Sequence, residues 1–372
     1  MAHTKIETQL AQIGNGSCDK TGAVNPPIYL STAYAHQHLG HSTGYDYARV
    51  GNPTRELLEA TIAQLEGGVQ GFATSSGMAA VDIVLRQFAP EDELIVSRDL
   101  YGGTYRLLET MVKKNRITAH YVDTSLTEEI LAQINSQTKA IFVETPTNPL
   151  MIESDIKAIA KIAKDHDLQL IVDNTFYTPL LQQPLKEGAD IVIHSATKYL
   201  GGHNDVLAGL IVTKTEELAE EIGAIHKSAG AVLSAFDSWL LMRGMKTLAL
   251  RLREQEKNAK EIVTFLKQHP FVSHVYYPGK GGMLSFKIKN EQAVNTFLKH
   301  LNHITFAESL GGTESFITYP ATQTHADVPI EVRTAVGVCN CLLRFSVGIE
   351  HIDDLKADLC QALTFGEDAP YE

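Results

Sequence analysis

Cysteine is scarce in this sequence, four in 372 residues, which excludes a disulfide framework. Cys339 and Cys341 flank Asn340 and would share one face of a strand entry. No second Cys or His pair accompanies them at zinc spacing, so a structural role outweighs metal binding. The histidines His203, His226, His325 and His351 likewise never pair at ligand spacing. Basic charge is also in deficit: 32 Lys and Arg against 44 Asp and Glu leave a formal net charge of -12. No nucleic-acid partner is expected on that balance. No apolar run approaches membrane-spanning length, and the N-terminus lacks the basic-then-apolar plan of a secretory leader. The expected location is therefore the cytoplasm, with no membrane partner. Pro278-Gly279-Lys280-Gly281-Gly282 lacks Walker spacing and its terminal Ser/Thr, and reads as a turn.

What remains is an ordinary globular balance, 44% apolar and 20% charged, in a chain long enough for a major and a minor domain. Residues 1–53 form an irregular arm rich in Gly, Pro, Ser and Thr, which must lie on a body or on a partner subunit. Thr54 is expected to cap a helix carrying the stripe Leu57, Leu58, Ile62 and Leu65, ended by Gly67-Gly68. An alternating series follows: helix 77–88, strand 93–97, helix 103–114, strands 117–122 and 140–143, helix 154–165, then strands 168–172, 190–193 and 207–212. Apolar strand cores between amphipathic helices predict an α/β fold with a mostly parallel sheet covered on both faces. Helical pattern then runs from 216, with a long segment at 236–268. Shorter strands at 284–288 and 342–347 alternate with helices at 291–300 and 351–363. The change in element size predicts a large domain over 54–245 and a smaller α/β domain over 246–372.

The chemistry concentrates at strand ends, where parallel sheets bind ligands. Asp173 closes Leu170-Ile171-Val172, and Lys198 follows strand 190–193 on its loop. An amine and a carboxylate so placed suit pyridoxal 5'-phosphate (PLP), whose aldehyde takes the amine and whose pyridine nitrogen takes the carboxylate. Ser75-Ser76-Gly77-Met78 opens a helix, where free N–H groups suit a phosphate; Ser195 and Thr197 add hydroxyls. Without the Asp–Lys pair, the same turn would read as a plain cap. Tyr101, before Gly102-Gly103, can stack on a flat cofactor or sit in a surface turn; Asn148, past another strand end, can hydrogen-bond the cofactor's phenolate oxygen or simply belong to the Pro-framed turn Glu144–Pro149. Arg344, within Leu342-Leu343-Arg344-Phe345-Ser346-Val347, must find an anion, either a substrate carboxylate or an internal partner. Tyr45-Asp46-Tyr47 and Arg49 offer another cationic contact if the arm crosses a dimer interface.

With Ser75-Ser76-Gly77-Met78-Ala79-Ala80, Val172-Asp173-Asn174-Thr175, Ser195-Ala196-Thr197-Lys198-Tyr199-Leu200-Gly201-Gly202-His203 and Ser309-Leu310-Gly311-Gly312 in view, the chain resembles the Cys/Met-metabolism PLP-dependent enzymes. That family contains cystathionine gamma-synthases, gamma- and beta-lyases and O-acylhomoserine sulfhydrylases. The resemblance implies the type I PLP-dependent, aspartate-aminotransferase-like fold, and a homotetramer built as a dimer of dimers. Lys198 would be the Schiff-base lysine, Asp173 the pyridine-nitrogen partner and Tyr101 the stacking ring and proton assistant. Gly77, Met78, Ser195 and Thr197 would hold phosphate, with Tyr47 and Arg49 reaching the neighbouring subunit's phosphate. Arg344 would grip the substrate α-carboxylate with Asn148 and Ser309. Glu308-Ser309-Leu310-Gly311-Gly312 and Asp46 at the pocket mouth look like the γ-acting branch. The expected activity is γ-replacement on an O-acylhomoserine, O-acetylhomoserine first, with cysteine or sulfide. The alternatives are C–S lyase activity, an aminotransferase, or a PLP-free structural protein. One departure is a segment between Tyr277-Pro278 and Gly281-Gly282 shorter than in many relatives.

Overall fold

The computed structural model describes residues 4–326 and 328–367. The outermost residues of the 1–53 and 246–372 segments lie outside that description. Among the described residues twelve strands form two sheets: β1 (Gln70–Thr74), β2 (Glu93–Ser97), β3 (Thr118–Val122), β4 (Thr138–Glu144), β5 (Gln169–Asp173), β6 (Ile191–Ser195) and β7 (Gly209–Thr213) form the first. The second holds β8 (Val272–Tyr276), β9 (Met283–Ile288), β10 (Thr305–Phe306), β11 (Phe316–Thr318) and β12 (Leu342–Ser346).

The first sheet has the order β1-β7-β6-β5-β4-β2-β3. Its β2–β6 pairings are parallel, and β7 alone runs against both its neighbours. Strand alternation sorts the core. Leu170, Val172, Val192 and Val212 enter one apolar cluster, whereas Ile171, Ile191, Ile193 and Ile211 enter another on the opposite face. Because successive side chains point to opposite faces, a continuous apolar run is what a doubly covered strand requires. The predicted mostly parallel, doubly covered sheet is what the chain builds. The second sheet is mainly antiparallel, in the order β10-β11-β12-β9-β8, and packs helices Leu248–Gln268, Ala293–Lys299 and Ile352–Glu367. Helix Leu248–Gln268 serves both cores. Leu248 and Leu252 pack in the first, and Ala259, Ile262 and Leu266 in the second.

Several local expectations are corrected. Thr54 is not the helix cap; Asn52 is, its Oδ1 accepting from Thr54 N and Arg55 N at 3.0 and 3.2 Å. Pro53 occupies the first helical turn, where a missing N–H costs nothing, so the cap must precede it. Thr54 Oγ1 instead accepts Tyr29 N–H at 2.9 Å and fastens the arm. The segment 236–268 is two helices, Ala235–Met245 and Leu248–Gln268. Strand 207–212 starts only at Gly209, leaving Leu207 exposed. Strands β1, β8, β10 and β11 carry no clear alternation and went unpredicted, as did helices Thr127–Gln133 and Ile330–Ala335. Among the described residues no helix is long and apolar enough to cross a membrane.

Candidate active site

Parallel pairing places the ends of β4, β5 and β6 side by side, so Glu144 lies in register with Asp173, and Asp173 with Ile193. A cavity of about 170 Å³ opens at this edge. Of the residues expected to act, Gly77, Met78, Tyr101, Asn148, Asp173, Ser195, Thr197, Lys198, Glu308, Ser309 and Arg344 all line it.

Asp173 is held by the loop that follows it. Its Oδ1 accepts the Thr175 N–H at 3.0 Å and the Thr175 hydroxyl at 2.6 Å, and that hydroxyl accepts Ser195 N–H at 2.8 Å. Burial pushes the Asp173 carboxyl upward, while the Thr175 bonds and His194 pull it back. Lys198 Nζ donates to Ser309 Oγ at 3.0 Å. Burial, then the Arg344 charge, lowers its amine to about 8, against the opposing pull of Glu308. A buried amine of that kind reaches its neutral, nucleophilic form near neutral pH.

Arg344 comes from the second sheet. Its guanidinium donates to Asn148 Oδ1 at 2.9 Å, Ser309 O at 2.9 Å and Thr318 Oγ1 at 3.1 Å. All three acceptors are neutral, and Nε has no partner. Burial lowers the guanidinium to about 10, which leaves it charged at neutral pH. A buried cation tied only to neutral oxygens, beside a cavity, is arranged for an anion that arrives there. Ser309 itself sits at φ 92°, a strained backbone for a residue with a Cβ, and so turns its hydroxyl to Lys198 and its carbonyl to Arg344.

The cradle at Gly77 fits a phosphate group. Ser76 caps the helix Gly77–Leu85 through Ala79 N–H at 3.1 Å, leaving the first N–H groups of that turn without intrahelical acceptors. A Cβ on Gly77 would stand 2.7 Å from Ser195 Cβ, so only glycine lets the turn approach that hydroxyl. Thr197 lines the cavity while its hydroxyl exchanges bonds with Ala208 O and N at 3.1 and 3.0 Å. Tyr101 N–H donates to Glu144 Oε2 at 2.9 Å, and Gly103 is bare where a Cβ would meet the Tyr101 ring at 2.5 Å.

Among the lining residues to which sequence reading gave no role are the polar Glu144, Thr175 and Thr324. Burial, then Asp173 alongside, pushes Glu144 well above the usual carboxylate range. Its strand-end position was the available signal. Thr175 stands two residues after Asp173, an Asx-turn spacing that could have shown it. Thr324 arrives from the second half of the chain, with nothing local to mark it. Asp46, Tyr47 and Arg49 do not line the cavity of their own chain. Asp46 pairs with His36 at 2.7 Å, and Arg49 stands over the Tyr47 ring and donates to Lys227 O at 2.6 Å.

A doubly wound sheet with a lysine, a carboxylate and a phosphate cradle at its strand ends defines the class of fold type I PLP-dependent enzymes. The chain matches the family described as Cys/Met metabolism PLP-dependent enzyme over residues 7–364, and it belongs to that family. It is 63% identical, over 96% of both chains, to a cystathionine gamma-synthase/O-acetylhomoserine (thiol)-lyase of Bacillus subtilis. A cystathionine gamma synthase structure from Xanthomonas oryzae pv. oryzae, in complex with aminoacrylate and cysteine, superposes with a TM-score of 0.96 at 39% identity. That match covers 98% of this chain and 99% of the other. A cystathionine gamma-lyase from Lactobacillus plantarum, complexed with L-serine, gives 0.94 at 45% identity, covering 98% and 100%.

Proposed function

We propose that this enzyme performs γ-replacement on an O-acylhomoserine, O-acetylhomoserine first, with L-cysteine to give cystathionine and with sulfide to give homocysteine. The observation that carries the reading is the Lys198–Ser309–Arg344 arrangement, which sets a free amine and an unpaired carboxylate grip on one serine. An amino acid meets both at once. The printed name of the Bacillus subtilis relative supports the γ-replacement chemistry.

PLP would lie with its phosphate at Gly77, Met78, Ser195 and Thr197, its ring under Tyr101 and its pyridine nitrogen at Asp173. When bound, it supplies an electron sink that acidifies the proton on the amino-bearing carbon and, in turn, those on the carbon beside it. Arg344, with Asn148 and the Ser309 carbonyl around it, orients the substrate by its α-carboxylate. Lys198, its amine lowered to about 8, takes the α-proton and redelivers it. Loss of a β-proton lets the C–O bond at Cγ break and the carboxylate leave; the thiol sulfur then forms the new C–S bond at Cγ as its own proton departs and a proton returns to Cβ. Glu308 and Asp46 are assigned to substrate recognition. Tyr47 and Arg49, exposed on an arm whose Leu30 and Leu39 face solvent, are assigned to the phosphate of a neighbouring subunit in a homotetramer. The cytoplasm is the assigned location.

The test supplies acetyl- and succinyl-homoserine, each with cysteine and with sulfide, and analyses the products. Cystathionine and homocysteine support the reading. Release of ammonia and a keto acid from cystathionine, without replacement products, contradicts it and favours a lyase.

A further inference from the structure

Behind the cavity, outside its lining, three polar side chains are entombed together. Glu66, His194 and Asn174 are each 0% exposed. Glu66 is the last residue of helix Pro53–Glu66, directly before the left-handed Gly67. Its Oε1 receives His194 Nε2 at 2.7 Å and Asn174 Nδ2 at 3.0 Å. Asn174 Nδ2 also donates to Gln182 O at 2.9 Å, and Asn174 N to Ile193 O at 2.9 Å. Beyond these bonds the group is unsatisfied: Glu66 Oε2, His194 Nδ1 and Asn174 Oδ1 have no hydrogen-bond partner among the described residues.

Such an arrangement is a poor stabiliser. Burying a carboxylate and an imidazole in an apolar core carries a large desolvation cost, which two bonds to one oxygen, with atoms left orphaned on each side, do not recover. The surroundings are apolar: Leu65, Leu185 and Val192 belong to the same cluster, and a leucine pair would fit the core chemistry better. The position in the chain is the informative fact. Asn174 follows Asp173 directly, and His194 immediately precedes Ser195, so the network is spliced into both strands that present the site. In β6 the alternation of side chains turns His194 to the back while Ser195 faces Gly77.

We propose that Glu66 and His194 are positioning residues which act through Asn174 and Asp173 on the pyridine nitrogen of the cofactor. His194, held by Glu66 Oε1 at 2.7 Å, acts on Asp173 in the direction that favours its ionised form. Asn174, held by Glu66, anchors the chain on the far side of Asp173. Removing the Glu66 charge weakens its hold on His194 and Asn174, and leaves chiefly the Thr175 bonds to oppose the burial of Asp173. Its proton affinity rises, and the pyridine nitrogen loses its partner anion.

The inference rests on the assignment of Asp173 to the pyridine nitrogen, and its test separates the two. Holoenzyme loaded with PLP labelled with ¹⁵N in the ring is compared for wild type, Glu66→Gln, His194→Gln and the apolar double variant Glu66→Leu/His194→Leu. The readouts are the ¹⁵N shift, the PLP dissociation constant, kcat and KM separately, and the unfolding midpoint. Glu66→Gln is isosteric and keeps the test open where His194→Gln does not fold. The expected result is a ¹⁵N shift moved toward the unprotonated ring in every variant, with kcat about tenfold lower. KM stays within about twofold, as for an effect not spent on substrate binding. The double variant regains stability without regaining kcat. Variants that unfold more easily yet keep the wild-type ¹⁵N shift and kcat overturn the inference, as does a double variant with full kcat. A wild-type ring nitrogen already unprotonated contradicts the Asp173 assignment itself, and the inference with it.

Discussion

Arg344 and Asn148, 196 residues apart in sequence, meet through a 2.9 Å bond that ties the second sheet to the loop after β4 of the first. The same guanidinium reaches Ser309 O and Thr318 Oγ1. It is thus both a strut between the two sheets and the cation exposed to whatever enters the cavity. Arg344→Lys keeps the charge and loses the fork. A charge-assisted bond is worth about 1.5–3 kcal/mol, so KM for the amino-acid substrate should rise roughly 10–100-fold in steady-state assays. An unchanged KM would remove Arg344 from substrate binding.

Lys198 has no deputy at its position: Ser309 Oγ is its hydrogen-bond partner, and a hydroxyl cannot replace an amine as base. Lys198→Ala is expected to lower kcat by about 10²–10⁴-fold, the usual worth of a positioned acid–base group. Single-turnover kinetics with cofactor in excess would measure it.

Thr175 joins Asp173 to Ser195 N–H with one hydroxyl. Thr175→Val keeps the volume and strips both hydroxyl bonds, leaving the Ser195 N–H without its acceptor and Asp173 Oδ1 with the Thr175 N–H alone. Urea denaturation should report a loss of about 1–3 kcal/mol. Titration with PLP should show weaker binding alongside it.

These residues also mark what was legible in the sequence. Asp173 and Lys198 could be read because each follows an apolar run, and a parallel sheet gathers such ends at one edge. Arg344 announced itself as a charge inside an apolar strand. Ser309 contributes through a positive φ and a contact 111 residues away, neither of which leaves a local trace. The burial of Glu144 was equally hidden, since it comes from strands on both sides of β4 and from the second sheet. The Thr54 expectation failed on a readable signal, Pro53, which forces the cap back to Asn52. The reversal of β7 could not be read, because a fully buried strand looks alike in either direction.

His226 predicts acid behaviour. Its Nε2 contacts Ala73 O at 3.1 Å, and burial lowers the imidazole from 6.5 to about 4. Between those values the unfolded chain binds the proton and the folded chain does not, so stability falls as pH drops through the window. The full loss is about 3 kcal/mol. His226→Gln retains a donor without titrating. Its stability should vary less than wild type between pH 7 and pH 4.5 in parallel urea titrations.

Asp358 fixes the second core, its carboxylate accepting Asn302, His303 and Ile304 N–H at 2.8, 2.9 and 2.8 Å. Asp358→Ala strands three donors near the end of helix Ala293–Lys299, and urea denaturation should show a cost of about 2–4 kcal/mol.

The central claim is that Lys198 carries the cofactor. Borohydride reduction of the PLP-loaded protein, followed by proteolysis and mass mapping, tests it most directly. The account predicts one phosphopyridoxyl group, on the peptide containing Ser195-Ala196-Thr197-Lys198, and its absence in Lys198→Ala. A label on another lysine, or none on protein that turns over substrate, would contradict it.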